Sequence, residues 1–142
     1  MELKELTAYA GVAGNEKEVR DAIMKELTSM GVSFETDVMG NVIAKKGDKG
    51  PKVLIDAHMD EVGLMIVHIE KNGFLRFTPI GVPAAVLVSK RVLVGKDKIP
   101  GVIGAKAIHL QEPKERETVI PVNQLFIDIG ADDATIEFPV LY

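Results

Sequence analysis

The chain has 142 residues, a hydrophobic fraction of 46%, a charged fraction of 27% and a formal charge of -4, the composition of an ordinary globular protein rather than of a disordered one. The modest negative charge, without a basic stripe or an arginine-aromatic cluster, argues against nucleic acid as a partner, and the lack of an apolar run of about 18 residues argues against a spanning helix, so a cytoplasmic protein without membrane contact is expected. Cysteine is absent, which excludes disulfides, thiolate zinc sites, iron-sulfur clusters and thiol nucleophiles and leaves His, Asp and Glu as the only strong metal ligands.

Taken in order, Glu2 to Tyr9 has a short helical pattern with Leu3 and Leu6 on one face, closed by the small residues Gly11 to Gly14. Asn15 is placed to cap a second helix over 16–30, whose apolar stripe Val19, Ile23, Leu27 and Met30 is stopped by Gly31. Val32 to Asp37 and Asn41 to Lys46 read as two short strands around a Met39-Gly40 turn. After the turn residues Gly47 to Pro51 comes Val53-Leu54-Ile55-Asp56-Ala57, an almost wholly apolar run that predicts an interior strand covered on both faces. A helix, two short strands and a buried strand ending in polar residues fit an α/β sheet, in which ligands sit beyond the strand ends.

Past Gly63 the pattern becomes β-rich. Leu64 to Glu70 and Phe74 to Pro79 flank Asn72-Gly73 as a hairpin, and Val86 to Val94, Gly101 to Ala105 and Leu125 to Ile129 are further short β-prone runs. These predict a small β-barrel or sandwich over 67–142, following an α/β portion over 1–66. Gln111 to Thr118 reads as a charged surface loop or flap.

The residues that carry chemistry are in Asp56-Ala57-His58-Met59-Asp60-Glu61-Val62-Gly63. A histidine two residues before an acid can bind a metal through one ring nitrogen while the acid fixes the other, which makes His58 a candidate metal ligand and Asp60 its orienting acid. The competing reading of this spacing is a strand-end polar cluster that satisfies its own backbone. Glu61 either faces the site or is a plain strand-end charge. His68 lies in a β-run where a structural role is the better reading, as a structural or loop-anchoring role is for His109, and Asp132-Asp133 continues the last β-run.

The string LIDAHMDEVGLMI, 54–66, resembles the first metal-binding segment of the glutamyl, deblocking and tetrahedral aminopeptidases, some of which carry an endoglucanase label. GVAGNEKEVRDAI, TDVMGNVIAKKG, GFLRFTPIG, GVIGAKAIHL and LFIDIGA agree with the same family in the same order. The resemblance implies the start of a zinc-peptidase-type α/β catalytic domain followed by a PDZ-like β-barrel used for homo-oligomer contacts. It further implies two divalent metals, zinc or cobalt, that serve the hydrolysis of amino-terminal residues from peptide substrates. By position in the motif, His58 corresponds to a ligand of one metal and Asp60 to the catalytic acid that orients it. The bridging aspartate, the glutamate base and the other ligands follow the barrel in that family and are not found here. The chain alone is therefore expected to be an inactive fragment or truncated homologue with at most one weak metal site. The alternative is a non-catalytic oligomerisation or interaction module, and a sugar hydrolase is disfavoured because no pair of carboxylates across a cleft can be nominated.

Overall fold

The computed structural model describes residues 2–112 and 117–133. The chain divides into two compact units, Met1–Glu61 and Val62–Tyr142.

In the first unit, α1 (Leu3–Leu6) opens with a reciprocal capping box between Glu2 and Glu5, which satisfies two main-chain donors that a helix start leaves bare. The second helix, α2 (Lys17–Ser29), takes Glu16 and not Asn15 as its N-terminal cap residue. The Asn15 N–H is instead donated to the Val12 carbonyl in the preceding turn, and the Glu16 carboxylate accepts the Gly14 N–H. Gly31 takes the left-handed conformation that ends the helix, with φ +67. Of the expected stripe, Val19 is buried, Ile23 and Leu27 are half-buried, and Met30 is exposed. Strands β1 (Phe34–Thr36) and β2 (Val42–Ala44) form the expected antiparallel hairpin.

The hairpin turn is organised by Asp37. One carboxylate oxygen accepts the main-chain N–H groups of Met39 and Asn41, each at 2.9 Å, and the other accepts the Asn41 side-chain amide at 2.8 Å. The Asn41 side chain first, then the main-chain N–H groups of Asn41, Met39 and Gly40, hold the carboxyl below its ordinary value.

The expected interior strand at 53–57 does not form. Among the described residues, 52–60 pair with no strand, and Val53, Leu54 and Ile55 are 82%, 90% and 91% exposed. The run has the composition of a covered strand, but a strand needs ladder neighbours on its edges and layers on its faces. Among the described residues the only sheet in this unit is the two-stranded β1-β2 hairpin.

The described residues of the second unit form a five-stranded antiparallel sheet in the order β3-β4-β7-β6-β5, built from β3 (Gly63–Ile69), β4 (Leu75–Ile80), β5 (Arg91–Val94), β6 (Ile99–Gly104) and β7 (Phe126–Asp128). β3 begins at Gly63, where the sequence pattern changes, and has a register shift against β4 between Ile66 and His68. The β3-β4 hairpin turns at Asn72-Gly73 as expected, with Gly73 at φ +82 and its N–H donated to the Glu70 carbonyl. The first part of the 86–94 run is not strand: Ala84–Val86 is a single 3-10 turn. It leads to Leu87, which is buried in the core.

The core follows the two-residue alternation of the strands. Leu75 and Phe77 of β4, Val94 of β5, Ile103 of β6 and Ile127 of β7 point inward with Leu87 and Leu125. At the rim, Phe74 stacks on Phe126 with ring centroids 4.3 Å apart. Arg76 binds the Glu70 carboxylate through Nε at 2.7 Å, and its Nη1 is donated to the carbonyls of Asn123 and Leu125. One guanidinium thus ties the β3-β4 hairpin to the segment entering β7. The charged loop expected at 111–118 lies in part, and the continuation after Asp133 wholly, outside the described residues.

This division of burial sets the expected stability effects. Leu75→Ala, at a fully buried position, should cost about 2–5 kcal/mol in urea unfolding, whereas Leu54→Ser at its exposed position should stay within about 0.5 kcal/mol. Because a carboxyl with a depressed folded-state pKa stabilises above its unfolded value and loses that contribution as pH falls through the folded value, the 37–41 turn should persist through mild acid and open below the ordinary aspartate range. The Asn41 amide shift followed against pH reports this opening, and a midpoint at or above the ordinary aspartate value would contradict it.

Candidate functional site

The motif segment is irregular chain over 52–60, and its polar side chains bond within it. His58 Nδ1 lies 3.0 Å from Asp60 Oδ1 and 3.0 Å from the Asp60 carbonyl oxygen. Both partners are acceptors, so Nδ1 is the protonated nitrogen of the ring. In the neutral imidazole that leaves the Nε2 lone pair free of the proton and directed away from the carboxylate. The His58 side chain is 84% exposed and that of Asp60 45%, so nothing in the packing closes off the ring. A histidine whose second nitrogen is held by a carboxylate has the form of a metal ligand with its orienting partner.

Glu61, the third polar residue of the segment, points its bonding elsewhere. Its N–H is donated to the Gly11 carbonyl at 2.7 Å, and its carboxylate accepts the Gly11 N–H at 3.1 Å. A parallel bridge between Val12 and Glu61 extends this pairing. Gly11 is buried, and a Cβ there would stand 2.7 Å from Val19 Cγ2 and 3.1 Å from the Met59 carbonyl oxygen. The loop ahead of α2 therefore accepts the motif segment only because residue 11 has no side chain. The sequence offered no sign of this contact, since fifty residues separate the two positions and Gly11 reads there simply as part of a helix terminator.

The other candidates are not gathered into a site. His68 is on β3, exposed and opposite Arg76 in the strand register. His109 is exposed in a single 3-10 turn, Ile108–Leu110, and Asp132 and Asp133 are exposed beyond β7. Among the described residues no group of three His, Asp or Glu could together hold a metal ion. The donor set thus fits one ligand and its orienting acid, while a catalytic zinc needs about three protein ligands.

A family model described as the M42 glutamyl aminopeptidases matches residues 40–137. The chain belongs to this family. It is 41% identical over 134 residues to the putative aminopeptidase FrvX of Escherichia coli, covering 92% of this chain and 38% of that protein. Among solved structures, an aminopeptidase of the archaeon Desulfurococcus kamchatkensis is 40% identical with a TM-score of 0.80, covering 92% of this chain and 37% of that one. The TET1 peptidase of Pyrococcus horikoshii is 36% identical with a TM-score of 0.79, over 92% of this chain and 40% of the other. The mixed α/β architecture with its antiparallel sheet is accordingly that of the TET-type aminopeptidases. This M42 chain spans under two fifths of the length of the curated relatives it matches. No helix among the described residues is long and apolar enough to cross a membrane.

The tautomer follows from the acceptors around Nδ1 and can be checked directly. In Asp60→Ala the main-chain carbonyl at residue 60 remains as an acceptor, so the Nδ1-protonated form should decline without vanishing. Long-range proton-nitrogen correlation spectra of the His58 ring would show this, and an unchanged tautomer ratio would mean that the carboxylate does not set it.

Proposed function

We propose that this chain supplies the first metal-ligand segment of an M42 metallo-aminopeptidase, with His58 as a ligand through Nε2 and Asp60 as the acid that orients it. The observation that carries this reading is the exposed His58-Asp60 pair, within a chain whose relatives are named aminopeptidases. In this reading the first unit opens the α/β catalytic domain and the second is an inserted PDZ-like barrel that takes part in homo-oligomer contacts. The TET1 peptidase of Pyrococcus horikoshii, which assembles into a tetrahedron or a large octahedral shell, supports an assembling protein. Peptides with a free amino terminus are the substrate class.

Divalent ions, zinc or cobalt, would supply Lewis-acid polarisation of the scissile carbonyl and a more acidic water. The part of this chain is narrower. Asp60 holds the proton on His58 Nδ1, fixes the ring plane and keeps Nε2 as a lone-pair donor at the tip of the segment. The further ligands and the general base come from outside these 142 residues, and the whole enzyme's activity depends on them.

The 142-residue protein should release no amino-terminal residue from peptides in the presence of zinc or cobalt, while a zinc titration should perturb the His58 ring signals above all others. Asp60→Asn should weaken that binding about 10–100-fold, and His58→Ala should abolish it. Zinc that leaves the His58 ring untouched, or metal-dependent peptide hydrolysis by this chain alone, would overturn the assignment.

A non-catalytic association module is the second reading, and the bare apolar run Val53-Leu54-Ile55 favours it. Light scattering decides this point: self-association that Leu54→Ser reduces is expected under it, and a clean monomer would set it aside.

A further inference from the structure

The bond between His58 and Asp60 spans two residues. It sets the ring against the carboxylate, but it cannot set where the pair stands on the protein. The chain leading into the pair offers no anchor, because residues 52–60 are in no strand among the described residues and 53–55 are exposed. The firm attachment is on the other side, one residue past Asp60. There the Glu61 N–H and carboxylate engage the carbonyl and the N–H of the same residue, Gly11. Gly11 in turn lies against Val19, the buried residue of α2, and against the Met59 carbonyl oxygen. We propose that Glu61, acting through Gly11, is the positioning residue that fixes the His58-Asp60 pair against the start of α2.

The proposal rests on the reading of His58 as a metal ligand and adds to it a task for the adjacent acid. It also separates two roles that a third carboxyl beside a metal motif could have. A ligand needs the negative charge. A partner for the Gly11 N–H needs only an acceptor oxygen, which a glutamine provides equally well. Glu61→Gln should therefore behave as the wild type, and Glu61→Ala should not.

The test compares the wild-type protein, Glu61→Gln, Glu61→Ala and Gly11→Ala, each first without metal and then with zinc. In the metal-free protein, amide exchange at Gly11 and the through-space proton contacts of Gly11 with Met59 and Asp60 are read by NMR, with the α2 amides as the control for folding. Glu61→Ala should raise Gly11 exchange at least tenfold and lose those contacts while α2 keeps its protection and the His58 tautomer, set by Asp60, is kept. Glu61→Gln should retain both signals. Gly11→Ala, which drives a methyl toward Val19 and the Met59 carbonyl with Glu61 intact, should disturb the same contacts. With zinc, Glu61→Ala should bind about 10–100-fold more weakly, the range for a lost supporting partner of a ligand. Unchanged Gly11 exchange and contacts in Glu61→Ala would overturn the positioning role, as would a Glu61→Gln protein as impaired as Glu61→Ala. Should zinc fail to perturb His58 in the wild type, the ligand assignment falls, and the metal-free signals still decide the role of Glu61.

Discussion

An extended apolar segment becomes a strand only when neighbours take up its N–H and C=O groups and its faces are covered. This requirement explains the contrast between the two units. In the second, every strand finds an antiparallel neighbour, and the inward positions of β4, β5, β6 and β7 close over Leu87 and Leu125 into a core. In the first, the segment richest in β-branched and aliphatic residues has no partner among the described residues, and its side chains stand in solvent. Val19 is the one buried apolar side chain there among those described. A unit of about 60 residues is marginal even with a full core.

The functional segment inherits that contrast. His58 and Asp60 sit at the end of the uncovered run, and their mutual hydrogen bond is a local one. What joins them to the body of the unit is the exchange of main-chain and side-chain bonds between Glu61 and Gly11, together with the close approach that a glycine permits. The bonding capacity of the segment is thus divided: Asp60 serves the imidazole, and Glu61 serves the backbone. This division leaves the second ring nitrogen of His58 without a bond to either acid.

The chain is a member of the M42 family and is similar to TET-type aminopeptidase structures. Those proteins are more than twice as long as this chain.

Local and periodic features were legible in the residues themselves. The α2 stripe with its Gly31 stop, the β1-β2 hairpin, the Asn72-Gly73 turn and the strands β6 and β7 arise from propensity and turn chemistry between near neighbours, and the His58-x-Asp60 pairing needs only two residues of chain. Other features depended on contacts remote in sequence. Part of the 86–94 run became a 3-10 turn that delivers Leu87 to the core. The exposure of 53–57 and the Gly11-Glu61 bracket were decided by tertiary structure alone. Periodicity records which face of a segment would be apolar; whether another segment arrives to cover it, or to bond across fifty residues, is settled only when the chain is folded.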